Sequence, residues 1–309
     1  MAANYYDSTQ AKYWTFPKLE LASVRQSLAS SNPQHHQKYP LPDRRHVSIY
    51  IQSQLQKLAR RLNLRQQALA TAQIYIKRFY LRVEIRKTNP YLIMATACYL
   101  ACKMEETPQH IRLMLGEAAR QWPELNVAET SKIGECEFAM ISTLQSRLIC
   151  HHPYRTLQEL QGVFGLGTEE AQLAHGIIND SFNTDLPLIH PPHVVAIAAI
   201  FLAVVLRPPG QPPGLAAHST TPITPGSSAA ALSNSSAQAA LAGFAGLKQS
   251  GPKITKMVDW LAESEVDMEA VVDATQEMVS LYECWESYSE RGVKEAFGKF
   301  NRDSGGIAK

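Results

Sequence analysis

The chain has 309 residues, 45% hydrophobic and 19% charged, with a net charge of +2. That length accommodates two domains with separate cores, the apolar fraction is that of a soluble globular protein, and so small a net charge selects no class of partner. The longest apolar run, Val194 to Leu206, falls short of the roughly 18–20 residues of a membrane span, and the first residues lack the basic, apolar and cleavage pattern of a secretory signal, so neither is expected.

The charge is unevenly distributed. From Arg44 to Lys87 there are eleven Lys or Arg against one acid, Glu84, whereas Asp259 to Glu290 holds ten acids and no Lys or Arg. Two faces for charged partners, or simply two solvated helix surfaces, both fit that split. The five cysteines, Cys98, Cys102, Cys136, Cys150 and Cys284, are odd in number and mostly lie in apolar helical stretches. They read as reduced core thiols of an intracellular protein.

Helical periodicity dominates from the beginning, and strand signals are scarce. Asp7-Ser-Thr-Gln and Tyr13-Trp14 predict a short first helix whose aromatics need a surface to pack on. Residues 43–62 place Val47, Tyr50 or Ile51, Leu55 and Leu58 on one helix face, and 66–83 repeat the rhythm with Leu69, Gln73, Ile76, Phe79 or Tyr80 and Val83. Pro90, a favoured first-turn residue, opens a helix apolar on every side to Cys102, which other helices must therefore surround. Two more helices are expected at about 109–120 and 127–148.

The pattern then returns. His152-Pro153 opens a helix to about Val163, Thr168-Glu-Glu offers a cap for the next, to Leu186, and Pro191-Pro192 precedes a second all-round apolar helix. Gly162, Gly165 and Gly167 follow no strand and read as a helix stop and a turn rather than a phosphate loop. About a hundred residues separate the two apolar helices, which points to a duplicated five-helix unit. A stretch rich in Pro, Gly, Ala and Ser at about 207–252 reads as a flexible insertion, of which 210–250 is expected to be disordered and dispensable for kinase binding. Helices resume at about 254–262 and 266–289, and the end of the chain reads as a flexible tail.

One ordered set of motifs is specific: Leu64-Arg-Gln-Gln67, Ile74-Tyr-Ile-Lys-Arg-Phe-Tyr80, Leu100-Ala-Cys-Lys-Met-Glu-Glu106, Glu135-Cys-Glu-Phe138, His152-Pro-Tyr-Arg155, Ile178-Asn-Asp180, Thr184-Asp-Leu186 and Val266-Asp-Met-Glu269. In this order and spacing it resembles the cyclin family, and within it the cyclin C group, over about residues 1–290 outside the insertion. The resemblance implies an all-α fold of two tandem five-helix cyclin boxes with an extra N-terminal helix. The corresponding divisions are an extension at 1–42, a first, kinase-binding box at 43–150, a second box at 151–290 interrupted by the insertion, and a flexible tail at 291–309. It further implies a non-catalytic, nuclear subunit that activates a cyclin-dependent kinase of the Mediator type, alongside other Mediator kinase-module subunits, in transcription by RNA polymerase II. No cofactor, membrane or sequence-specific nucleic acid is expected.

The family's kinase-gripping acid–base pair matches Lys103 and Glu137. On the residues alone, Lys103 at a helix end can equally satisfy terminal carbonyls, and Glu137, on an apolar stripe between Ile133 and Ile141, can pair internally, since an unpaired carboxylate there is costly. The second unit has Val205 where the matching Lys would stand, so only the first is equipped to dock. Lys77 departs from cell-cycle cyclins, in which an acid there pairs with an Arg of the first helix; the equivalent first-helix position is Ser48. The resemblance also places Asn179 and Asp180 in a partner groove, with His175 where a Trp is common; capping of helix ends or turns is the alternative. His35-His36 and His151-His152 lack zinc-ligand company, so no metal is expected. Rival readings are another transcription-associated cyclin of the H, K or T kind, or a cyclin-fold general transcription factor without a kinase. The latter calls for a basic second box and a zinc ribbon, whereas residues 168–206 contain no Lys or Arg and Cys-x-x-Cys is missing.

Overall fold

The computed structural model describes residues 4–31, 33–206 and 252–301. The expected insertion, apart from Pro252, and the last eight residues lie outside the described residues. Among the described residues every regular element is helical. The chain divides into two compact units, the first drawn from Met1–His152, Pro187–Pro191 and Tyr288–Lys309, the second from Pro153–Leu186 and Pro192–Ser287.

The first unit forms around α6 (Pro90–Met104), against which α4 (Arg44–Arg61), α5 (Gln66–Phe79), α7 (Ile111–Gln121) and α8 (Thr130–Thr143) pack. Asn89 starts α6 by accepting from the backbone N–H groups of Tyr91 and Leu92 at 3.1 and 3.3 Å, and Pro90 gives up no needed donor at the first position. Every residue of α6 from Pro90 to Cys102 except Tyr99 is buried. The expected stripe of α4, with Val47, Tyr50, Ile51, Leu55 and Leu58, is buried too. Asp43 caps that helix, accepting from the Arg45 N–H at 2.7 Å.

Two helices of this unit end earlier than their periodicity suggests. α5 stops at Phe79, because Glu84 caps a 3-10 turn, Ile85–Lys87, and pairs with Arg86 Nη1 at 2.6 Å, both side chains being buried. α8 ends at Thr143, and Gln145 and Ser146 take left-handed φ of 54° and 55°, a conformation that cannot propagate a right-handed helix.

Three helices precede α4 where one was expected: α1 (Thr9–Tyr13), α2 (Lys18–Ser30) and α3 (Pro33–Lys38). The surface that α1 needs is supplied by the α5 region. Trp14 is buried, with the guanidinium groups of Arg78 and Arg82 5.3 and 5.7 Å from its ring centroid, favourable cation–π placements. Gln10 locks α1 in place by accepting from the His151 N–H at 2.7 Å.

The flexible tail expected from residue 291 is corrected by the structure. Glu290–Asn301 is a helix, here α15 after α9 to α14 of the second unit and its margin, and it buries Val293, Phe297 and Phe300 in the core of the first unit. The apolar residues recur at helical spacing, and the tail reading overlooked them among the charges that cover the other face.

The second unit is built around α12 (Pro192–Val205), packed by α9 (Tyr154–Phe164), α10 (Thr168–Ser181) and α14 (Met268–Glu286). α13 (Pro252–Glu263) reaches α9, with Phe164 edge-on to Trp260 at 5.2 Å. α9 ends as expected at the glycines: Gly165 has φ +61° and the Leu166 N–H reaches back to the Gln161 carbonyl at 3.0 Å, the pattern of a glycine C-cap. Gly167, not Thr168, caps α10, with the Glu170 carboxylate accepting from the Gly167 N–H at 2.7 Å. α10 stops at Ser181, short of Leu186, because Asn183 and Thr184 donate side-chain hydrogen bonds to the Asp180 and Ser181 carbonyls at 2.9 and 2.7 Å. The short α11 (Leu186–Ile189) completes the numbering.

Candidate functional site: an ion pair at the end of a buried helix

Lys103 lies in the last turn of α6, where Lys103 and Met104 are the exposed residues of that helix. What fixes the turn is a network that the sequence reading missed. Glu105 Oε1 accepts from the buried Thr71 hydroxyl at 2.6 Å, and Thr71 Oγ1 lies 2.7 Å from His152 Nε2. With Thr71 donating to the carboxylate, Nε2 must be the donor to Thr71. Burial pushes the Glu105 carboxyl up, but the His152 and Thr71 bonds outweigh it and hold the group below its ordinary value. Glu106 then takes a left-handed φ of 53° and ends the helix. The only sequence signal was the Met-Glu-Glu after Lys103, uninformative until Thr71 and His152 are seen to converge on it.

Glu137 comes from α8, whose Ile133, Cys136 and Met140 face the core. Its neighbour Phe138 points outward and is 77% exposed. The two helices bring Lys103 Nζ within 2.6 Å of Glu137 Oε1, and the ammonium lies 5.2 Å from the Tyr99 ring centroid. Lys103 is 44% exposed and Glu137 13% exposed. The pair thus opens on one surface of the first unit, flanked by Phe138 and the partly exposed Met104. The departure at position 77 is also resolved: Lys77 Nζ donates to Ser48 Oγ at 3.2 Å, so a hydrogen bond from the ammonium to a neutral hydroxyl stands where the ion pair was expected to be missing.

Asn179 and Asp180 are adjacent on α10, but their side chains serve different partners. The Tyr154 hydroxyl donates to Asn179 Oδ1 at 2.8 Å, and Asn179 Nδ2 lies 3.3 Å from His175 Nδ1. The His175 and Tyr154 rings stack at 5.0 Å with a 31° tilt. His175 therefore keeps an aromatic face at this position, and burial pushes its imidazole below the ordinary value. Asp180 accepts from the Tyr282 hydroxyl at 3.3 Å, and desolvation pushes its carboxyl up to about 7 against that bond. Cys98, Cys102 and Cys136 are buried, with Cys150 and Cys284 partly so; desolvation pushes the Cys102 and Cys136 thiols up to about 11, which suits inert core thiols.

The chain is similar to known proteins in sequence and in fold. The cyclin N-terminal domain family matches residues 15–149. The chain is 51% identical over 307 residues to the RNA polymerase II holoenzyme cyclin-like subunit of Emericella nidulans, covering 98% of both chains. It is 52% identical over 304 residues to the protein of that name from Aspergillus oryzae, covering 97% of both. A chain in the structure of the CAK complex from Chaetomium thermophilum bound to ATP-gamma-S is similar at a TM-score of 0.62 and 16% identity, over 96% of this chain and 88% of that one. That last likeness is one of fold.

Proposed function

Since this chain belongs to the cyclin family, in its cyclin C group, we propose that it is the regulatory subunit of a cyclin-dependent kinase of the Mediator complex. It binds and activates the kinase and acts in the nucleus on transcription by RNA polymerase II. The observation that carries the reading is the Lys103–Glu137 pair, held at one surface of the first unit beside exposed Phe138. Lys103 is 44% exposed and Glu137 13%, so the carboxylate is anchored among its neighbours while the ammonium, with three donors, keeps bonding capacity for a partner. Activation is then a matter of differential binding. The surface favours the kinase conformation in which the regulatory-helix Glu meets the ATP-binding Lys, and this chain contributes no bond-making chemistry.

Each charge-assisted bond to the kinase is worth about 1.5–3 kcal/mol, so Lys103→Ala and Glu137→Ala each weaken kinase binding roughly ten- to a hundredfold. Calorimetry against the purified Mediator-type kinase measures this, with circular dichroism as the check on folding. Because both residues grip one helix, the double variant loses less than the sum of the singles. Folded single variants with unchanged affinity and activation would reduce the pair to internal structure.

The Tyr154–His175–Asn179 cluster supports a second surface, for a segment of another Mediator kinase-module subunit. Asn179 and Asp180 remain its centre, but Asp180 is partly buried against Tyr282, so a larger or oppositely charged residue such as Lys there disturbs the fold. Asn179→Ala is the cleaner probe. It is expected to reduce assembly with the other module subunits in co-purification while leaving the kinase–cyclin pair intact; loss of the pair, or unchanged assembly, rejects this role.

A further inference from the structure

α14 buries Val271, Ala274, Met278 and Leu281 within the second unit. Its other side carries Met268, 46% exposed, and Val272, 50% exposed, one helical turn apart and so on one stripe. Val279, partly buried, continues that stripe two turns on. Met268 and Val272 thus leave apolar surface facing outward from this end of the helix. Exposed carboxylates of Glu269, Glu283 and Glu286 border the stripe, and no Lys or Arg occurs between Asp259 and Glu286. Among the described residues no ion pair reaches these three groups. Glu283 and Glu286 stand one turn apart and repel each other, and Glu269 lies about 20 Å away at the other end of the helix, so negative charge frames the stripe at both ends and a cationic partner would complete it.

We propose that this face docks a basic amphipathic helix of a partner protein, which lays apolar side chains on Met268 and Val272 and sets Lys or Arg against Glu269, Glu283 and Glu286. The mode is helix-in-groove recognition with anchors at helical spacing, and the sign of the charge excludes nucleic acid and anionic lipid, whose phosphates the same carboxylates repel. The proposal uses no residue of the Lys103–Glu137 pair or of the Tyr154–His175–Asn179 cluster, and it stands whether or not either of those readings does.

The test uses the full chain and two labelled peptides of identical Lys and Leu composition, one with leucines at helical three- and four-residue spacing, the other scrambled. Fluorescence anisotropy is expected to show the ordered peptide binding at least about tenfold more tightly, a difference of 1.4 kcal/mol. Hydrogen exchange is expected to slow across 265–286. The Met268→Ser/Val272→Ser variant abolishes the preference for the ordered peptide, and Glu269→Lys/Glu283→Lys weakens both peptides; both variants alter exposed positions and retain the helical circular dichroism. Equal affinity for the two peptides, protection elsewhere, or insensitivity to both variants overturns the proposal. So does a concentration-dependent dimer in sedimentation that Met268→Ser/Val272→Ser dissolves, since the stripe would then belong to a second copy of the chain.

Discussion

Phe297→Ala is expected to destabilise the first unit by about 3–5 kcal/mol, the range for emptying a packed aromatic site. Phe297 is fully buried, its ring 5.2 Å edge-on from Tyr50, 6.4 Å from Tyr91 and 5.4 Å from Phe300. The Tyr50 and Tyr91 hydroxyls bond each other at 2.9 Å beneath it, and desolvation pushes the Tyr91 phenol up to about 12. Truncation at residue 297 thus leaves a cavity and weakens the aromatic contacts that seal a buried polar pair. Urea unfolding followed by circular dichroism reads the loss, with Arg291→Ala as the control, because Arg291 is 89% exposed and surface changes stay within about 0.5 kcal/mol. If Phe297→Ala unfolds at the same urea concentration as the parent, α15 is an ornament on the first unit and not part of its core.

α15 was not legible in the sequence, whereas the two central helices were. α6 and α12 were legible because a helix apolar on every side has one resolution, burial among other helices. Their proline starts and the glycine stop at Gly165 were legible because they depend on backbone geometry within a few residues. Val293, Phe297 and Phe300 had the right spacing, but a short segment beyond what reads as the last helix gives no hint of what its apolar side would meet. The ends of α5 and α10 were misplaced for a related reason. The polar side chains that stop them, Glu84, Asn183 and Thr184, sit in sequence like any solvated residue and are revealed only by the carbonyls and amides they reach. At the site, Lys103 and Glu137 were singled out by resemblance together with their odd placement, and the packing of α6 on α8 brings them to 2.6 Å. The Thr71–Glu105–His152 network that fixes the same turn joins residues up to 81 positions apart, and no local signal points to it.

Asp180 supplies the second large effect, one that depends on pH. Its carboxyl is raised from 3.8 to about 7 by desolvation, with only the Tyr282 hydroxyl bond opposing. For a group raised in the folded state, the favourable contribution is complete below the unfolded value and is lost as pH climbs through the folded one. The second unit therefore loses stability from this residue between about pH 4 and pH 7. The loss is roughly 2–4 kcal/mol, since each tenfold change in proton affinity is worth about 1.36 kcal/mol. His175 and His193 act in the opposite direction, since burial lowers both imidazoles and their contribution is lost as pH falls. The raw profile of the protein is thus a compromise of opposing slopes, and a single curve reveals little. Asp180→Asn isolates the carboxylate, because Asn retains an oxygen to accept from Tyr282, cannot ionise, and leaves both histidines in place. Chemical denaturation of parent and variant at pH 5, 6, 7 and 8 gives the difference directly. The variant is expected to gain on the parent steadily with rising pH and then to hold a constant lead above pH 8. A difference that stays flat across that range means that Asp180 is ionised throughout in the folded protein, with water reaching it past Tyr282, and the burial argument for this position fails.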